Sequence, residues 1–212
     1  MNYYLFLKNG GYLYIFTLPF FYYQYYLLGF IFFLKTFPAN YYHTFKNLYK
    51  YPNLYQFKHF IRFTDTGHYA ALLLYYNHNY IPISHNITFV ITFMFWTAKY
   101  FFNMTDDTIN HPDIITIMHN IHSILNHSIY YLFSLYYCLN NKNVTFDNNY
   151  LFYSYIWVLS WFFFIYIPWF YLTNDYVYSV LQPNNKYRIY ILLFALYMVY
   201  LSNEFGKLIT NL

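Results

Sequence analysis

The chain has 212 residues, of which 59% are hydrophobic, 30% aromatic and only 8% charged, and its formal net charge is +4 at pH 7. Soluble domains carry about a quarter charged residues, so this composition excludes a water-soluble globular protein. The single cysteine, Cys138, excludes an intramolecular disulfide, and no cysteine and histidine cluster has the spacing of a zinc site. The composition predicts an all-α protein, a polytopic transmembrane helical bundle in one membrane domain.

Two segments in the first half of the chain are apolar for long enough to cross about 30 Å of hydrocarbon, and we predict spans at residues 12–34 and 84–102. Between them, residues 35–66 carry five basic side chains interleaved with Tyr and Phe, which predicts an amphipathic segment on the membrane surface. The same mixture can bind single-stranded nucleic acid, but its position between apolar regions favours the lipid bilayer, and we expect no nucleic-acid partner. Residues 67–80 are too short to span, and we expect them to tilt into the interface.

Three more spans are predicted in the second half, at residues 113–139, 150–172 and 184–205. The segment 150–172 has no charged residue and contains three tryptophans. The last segment reaches membrane length only if Lys186 and Arg188 extend towards the headgroups. The chain is therefore expected to cross the membrane about five times.

Residues with GC-rich codons are scarce, whereas the chain has 33 Tyr and 26 Phe, which indicates a very AT-rich gene. AT-rich nuclear genes usually gain Lys, yet Lys and Arg total only 11 here. In this composition the whole chain resembles the mitochondrially encoded membrane proteins of ciliates and related protists, whose divergent reading frames include respiratory-chain subunits. The resemblance implies the mitochondrial inner membrane, other membrane subunits of a respiratory complex as partners, and bound lipids such as cardiolipin.

The predicted topology follows from the basic residues in the loops. Five spans place residues 35–66, 140–149 and the C-terminus on one side, with seven basic residues against four on the other. Because basic loops are retained on the inner side, we expect this side to face the matrix and the N-terminus to face the intermembrane space.

The predicted helix at 113–139 has one polar face and one apolar face at helical spacing. Lipid offers polar groups no hydrogen-bond partner, so such a face commonly meets a neighbouring helix. We therefore predict a partner-contact stripe. Its members are Thr116, His119, Asn120, Ser123, Asn126, His127, Tyr130 and Ser134.

The histidines of this helix allow an alternative. A b-type haem in a helical bundle takes one imidazole from each of two facing helices, so His119 or His127 could pair with His78 or His85. Alternatively, the stripe could line a quinone pocket. By contrast, all seven acidic residues are expected in loops or at span ends, which leaves no intramembrane carboxylate for a proton pathway. No catalytic residue, metal site or cofactor of its own is expected, with haem b or quinone as the exception.

The favoured hypothesis is a non-catalytic accessory subunit of a mitochondrial respiratory-chain complex, either cytochrome c oxidase or a supercomplex partner. The alternative is a membrane anchor that binds haem b or quinone in a respiratory complex such as succinate dehydrogenase.

Overall fold

The structure is a computed structural model that describes residues 61–101, 113–141, 143–174 and 177–211. These residues are helical, with short connections and no strand among them. The helices are α1 Phe63–Tyr76, α2 Ile81–Phe101, α3 Asp113–Asn140, α4 Asn148–Ser160, a π-helical segment Trp161–Tyr166, α5 Ile167–Thr173 and α6 Arg188–Thr210. The all-α prediction is confirmed for this part of the chain.

In the part of the chain that the structure describes, three helices are long and apolar enough to cross a membrane: His78–Phe101, Asn148–Thr173 and Arg188–Thr210. The first includes a 3₁₀ turn ahead of α2, and the second joins α4, the π-helical segment and α5. They correspond to the spans predicted at 84–102, 150–172 and 184–205. The span predicted at 12–34 and residues 35–60 of the predicted surface segment lie outside the described residues.

Helix α3 forms where the sequence predicts it and has 28 residues. At about 1.5 Å per residue it is roughly 42 Å long, which is more than a bilayer core requires. It is not among the three helices above, because its polar face lowers its mean hydropathy. The structure describes its side chains from His127 onwards.

Helix α2 is the centre of the bundle. It packs against α1, α3, α4 and α6. In the most apolar 18-residue stretch of His78–Phe101, which contains most of α2, 61% of the stretch is buried. The corresponding shares are 28% for Asn148–Thr173 and 22% for Arg188–Thr210. Most faces of α2 therefore meet protein, whereas the other two helices keep an outer face.

Helix α1 covers most of the segment 67–80, which the sequence predicts to tilt into the membrane interface. Ala70, Ala71 and Leu74 of this helix are fully buried against α2 and α3. Gly67 lies so close to Ile91 of α2 that an added Cβ would be 2.7 Å from its Cδ1 atom. The small residues of α1 let it pack tightly inside the bundle.

A short connection joins α3 to α4. Asp147 caps α4, because its Oδ1 atom accepts hydrogen bonds from the amides of Asn149 (2.9 Å) and Tyr150 (3.0 Å). Just before it, Phe146 is buried against Gly206 of α6, where a side chain would overlap the phenylalanine ring. The connection and the C-terminal end of α6 therefore lie at the same end of the bundle.

The long helix from Asn148 to Thr173 contains a wider π-helical stretch, in which the amide of Ile167 bonds the carbonyl of Phe162. Pro168 follows directly and has no amide hydrogen to donate to the carbonyl four residues earlier. A local π-bulge relieves this mismatch without ending the helix. The helix then stops at Asn174, which adopts a left-handed conformation with φ of 53°.

Candidate functional site

The interior of the bundle holds a cluster of polar side chains that begins on α2. Ser84, His85, Asn86 and Thr88 are all buried there, although together they point to different faces of one helix within little more than one turn. This is possible because α2 is surrounded by other helices, which can supply hydrogen-bond partners on each face.

Asn86 joins three helices. Its Nδ2 atom donates to Ser154 Oγ of α4 at 3.1 Å and to Asn203 Oδ1 of α6 at 3.2 Å. Ser154 also donates to the carbonyl of Tyr150 on its own helix. All three side chains in this junction are fully buried, so the hydrogen bonds form away from solvent.

His85 directly precedes Asn86 on α2 and faces α6, where its Nδ1 atom lies 3.0 Å from Ser202 Oγ. Aromatic rings enclose the imidazole: Tyr131 of α3 and Phe146 pack at centroid distances of 5.4 and 5.3 Å, and Phe205 stacks at 6.2 Å. The sequence-predicted ligand His85 is therefore a fully buried side chain within an aromatic cage.

Four atoms of this polar cluster have no hydrogen-bond partner among the described residues: Ser84 Oγ, His85 Nε2, Asn86 Oδ1 and Asn203 Nδ2. Buried polar groups normally find a partner, and internal water supplies it where side chains do not. The junction between α2 and α6 therefore has hydrogen-bonding capacity beyond what its own side chains use.

Three members of the stripe predicted on α3 have described side chains, and these contact other helices of the same chain. Ser134 is buried with its Oγ 2.9 Å from Thr88 Oγ1 of α2. Tyr130 packs edge-on against His68 of α1 with ring centroids 4.5 Å apart. The side chains of Thr116, His119, Asn120, Ser123 and Asn126 lie outside the described residues.

His127, the third member, lies where α1, α2 and α3 meet. Its Nε2 atom is 3.3 Å from Thr64 Oγ1, and its ring stacks on Phe95 with centroids 3.6 Å apart. Its carbonyl accepts a hydrogen bond from Thr92 of α2. The neighbouring Ser128 accepts from Trp96 Nε1 at 3.0 Å, which holds α3 along the same face of α2.

The structure does not bring His85 and His127 together. His127 stacks on Phe95, which lies ten residues along α2 from His85, or about 15 Å at the rise of an α-helix. Two imidazoles that coordinate one haem iron must approach it from opposite faces of the same ring. The described histidines thus sit at two separate levels of the bundle.

Asp65 is a site residue that the sequence reasoning missed. It was expected in a loop or at a span end, within the predicted surface segment 35–66, but it lies in the first turn of α1 and is only 1% exposed. The feature of the sequence that could have indicated this burial is the group of small residues that follows Asp65, namely Gly67, Ala70 and Ala71. Small side chains let a helix pack closely against its neighbours, so an acidic residue beside them can lie in the interior.

The hydroxyl of Tyr178, in the connection between α5 and α6, is part of the same region. It lies 3.3 Å from Thr64 Oγ1 and accepts a hydrogen bond from the Thr64 amide, also at 3.3 Å. Burial raises the pKa of Tyr178, and the hydrogen bond to Thr64 and the charge of Arg62 offset part of this effect. Tyr178 therefore stays a neutral donor and acceptor at physiological pH.

Comparison with protein-family models, with curated proteins and with solved structures finds no match to this chain.

Proposed function

We propose that this chain is a non-catalytic accessory subunit embedded in the mitochondrial inner membrane, where it supports a respiratory-chain complex. The observation that carries the proposal is the distribution of polarity. Hydroxyl, amide and imidazole groups pair with one another between helices in the interior, while the outer surface of the membrane-length helices is apolar and aromatic.

The outer surface supports a membrane location with partners. On the helices from Asn148 to Thr173 and from Arg188 to Thr210, large apolar side chains point away from the bundle. They include Phe152, Tyr153, Ile156, Phe163, Phe164, Tyr171, Ile189, Tyr190, Leu193, Tyr197 and Leu208. In water such a surface would aggregate, whereas in a bilayer it can contact lipid chains or the apolar helices of another subunit.

The interior supports a structural role. The contacts of Asn86, Thr88 and His85 each join one helix of the bundle to another. Interhelical hydrogen bonds of this type stabilise helix packing in membranes. We include α3 among the membrane-crossing helices in this proposal, because its buried polar face is packed against α1 and α2.

The choice of host complex rests on composition. The scarcity of Lys and Arg in a chain rich in Tyr and Phe is typical of organelle-encoded respiratory subunits of ciliate-type protists, so cytochrome c oxidase or one of its supercomplex partners is the proposed host. Orientation with the N-terminus in the intermembrane space and bound lipids such as cardiolipin belong to the same proposal.

The experiment is the isolation of inner membranes in a mild detergent, followed by native electrophoresis and mass spectrometry of each respiratory band. We expect the chain to co-migrate with one complex and to stay with it when supercomplexes are dissociated by a stronger detergent. Migration as a free monomer in the mild detergent would contradict the proposal. The outer-membrane proteins of the same preparation serve as the control for incomplete separation.

The alternative, an anchor that binds haem b or quinone, is favoured by one observation. His127 is only partly buried and stacks on an aromatic ring inside the bundle, which is a suitable setting for a planar ligand. A reduced-minus-oxidised spectrum of the purified assembly tests the haem version. A b-haem band that disappears in His127→Leu or His119→Leu would replace the accessory-subunit proposal, and an unchanged spectrum would remove haem.

A further inference from the structure

Asn86 and Asn203 face each other where α2, α4 and α6 meet. The two amides and the hydroxyl of Ser154 come from three separate helices, and all three side chains are fully buried. Neither bulk solvent nor a lipid chain reaches these groups, so every hydrogen bond that they make must form inside the bundle.

The donors and acceptors of the two amides do not balance. Each asparagine amide has two N–H donors and one acceptor oxygen. Asn86 uses both of its donors, on Ser154 Oγ at 3.1 Å and on Asn203 Oδ1 at 3.2 Å. Its own Oδ1 atom and the Nδ2 atom of Asn203 have no hydrogen-bond partner in the described part of the chain. One acceptor and one donor therefore remain on two amides that already contact each other.

This imbalance does not depend on which way the amides are turned. Exchanging the oxygen and nitrogen of both asparagines would reverse the direct hydrogen bond and again leave one donor and one acceptor without a partner. Exchanging them in one asparagine alone would bring two oxygens or two nitrogens to 3.2 Å and lose the bond. The junction therefore needs a further group that donates and accepts at once.

The apolar layer next to the junction cannot supply that group. One helical turn from each of the three polar residues lies a valine, and the three valines belong to one buried apolar cluster: Val90, Val158 and Val199. Their side chains have no hydrogen-bonding atom. The neighbouring His85 directs its Nδ1 atom to Ser202 instead.

The ligand that fits is small and can both donate and accept. Buried waters typically form about three hydrogen bonds with polar groups that lack other partners. The two amides provide two partners. Ser154 Oγ keeps one lone pair for a third, since it accepts from Asn86 and donates to the carbonyl of Tyr150. A metal cation does not fit, because one of the two free groups is an N–H donor in either arrangement of the amides.

The junction lies well inside the membrane-length helix that contains α2. Asn86 is eight residues from His78 and 15 from Phe101, the two ends of that helix. These separations correspond to about 12 and 22 Å along the helix axis. Lipid chains offer no hydrogen bond at such depth, so an unpaired polar group there is costly.

We propose that one water molecule binds between Asn86 and Asn203 as a permanent part of the junction of α2, α4 and α6. It accepts a hydrogen bond from Asn203 Nδ2 and donates one to Asn86 Oδ1. Together with the direct contact between the two amides, it closes a hydrogen-bonded ring between α2 and α6. The site uses side chains of this chain alone, so it does not depend on the proposed respiratory function.

The test is solid-state NMR of the isotope-labelled chain in lipid bilayers, in which magnetisation is transferred from water protons to nearby N–H groups. We expect transfer to the side-chain amide of Asn203 and only background transfer to the backbone amide of Ala70, which is fully buried within α1. The exposed side-chain amide of Asn140 gives the level reached in contact with bulk water. Transfer to Asn203 no greater than that to Ala70 would overturn the proposal.

The pH dependence separates a bound water from proton exchange with the solvent. A bound water acts through space, so its transfer to Asn203 should not change with pH. Proton exchange of an amide accelerates as the pH rises. Transfer to Asn203 that increases with pH as that of Asn140 does would therefore count against a bound water.

Two variants identify the anchor of the water. Asn86→Leu removes the acceptor and replaces it with an apolar side chain of similar size, so transfer to Asn203 should fall to the level of Ala70. Thr88→Val is the matched control, because it removes a buried interhelical hydrogen bond to Ser134 from the same helix and leaves both amides intact. Transfer to Asn203 should persist in this control. Transfer that survives in Asn86→Leu, or that is lost equally in both variants, would refute the assignment.

If Asn86→Leu does not fold, Asn203→Leu provides the reciprocal measurement, with the side-chain amide of Asn86 as the readout. Helix content compared with that of the wild-type chain verifies that each variant is folded. Loss of transfer to Asn86 in this variant supports the bridging water, and unchanged transfer contradicts it.

Discussion

Replacement of Asn86 by leucine tests whether the polar junction holds the bundle together. Leucine has a similar size and shape, so Asn86→Leu removes the hydrogen bonds to Ser154 and Asn203 without opening a large cavity. Asn203→Leu removes one of these contacts from the other side. The double variant completes a cycle that isolates the contact between the two amides.

The expected magnitude follows from the two bonds that are lost. An interhelical hydrogen bond in a membrane protein contributes about 0.6 kcal/mol on average and up to about 1.7 kcal/mol. The side-chain oxygen of Asn203, Oδ1, also loses the amide group of Asn86 as its hydrogen-bond donor. Leaving a buried acceptor unsatisfied costs about 1–3 kcal/mol. Because Ser154 keeps its bond to the carbonyl of Tyr150, it adds little. We expect Asn86→Leu to lower the free energy of unfolding by about 2–4 kcal/mol.

The free energy of unfolding is measured by denaturant titration in mixed micelles, with helix content as the readout. Asn140→Leu is the control, since Asn140 is exposed and, among the described residues, donates to the carbonyl of Tyr136 on its own helix alone. This control should change stability by no more than about 0.5 kcal/mol. The reasoning fails if Asn86→Leu costs no more than the control, or if the effects of Asn86→Leu and Asn203→Leu are additive.

Three further predictions concern packing and topology. Gly206→Ala should destabilise the chain by about 1–3 kcal/mol, because the new methyl group overlaps the ring of Phe146; unchanged stability in the same titration would contradict that contact. Cys138 is buried, so a water-soluble maleimide should label it only as the chain unfolds, and rapid labelling of the native protein would be inconsistent with the packing of α3. In a Cys138→Ser background, cysteines at Asn148 and Asn184 should react from opposite faces of sealed vesicles, since these residues flank the span Asn148–Thr173; labelling from one face would exclude this topology.

The sequence alone predicted an all-α chain with apolar, membrane-length helices and the approximate positions of the helices that the structure describes. A chain with 8% charged residues cannot build a water-soluble surface, and long apolar segments form helices because lipid offers the backbone no hydrogen bonds. The polar face of α3 was also predictable from the sequence, since the spacing of its polar residues matches the period of an α-helix. These are local properties, so they need no knowledge of which helices are neighbours.

The partners of the polar groups were decided by the tertiary structure. Helical periodicity indicates that Ser134 and Tyr130 need partners, but only packing places them against Thr88 and His68 of the same chain. It also makes α2 the central helix, although α3 has the more evident polar face.

The burial of Asp65 likewise depends on contacts between distant segments. In the sequence it lies at the end of the predicted surface segment 35–66, ahead of a short apolar stretch. In the structure, the small residues of α1 let that helix enter the bundle, where α3, the π-helical segment and the connection carrying Tyr178 surround its first turn. The composition therefore predicts helices long and apolar enough to cross a membrane, whereas the contacts between polar groups depend on the fold, because burial arises from the packing of segments far apart in the chain.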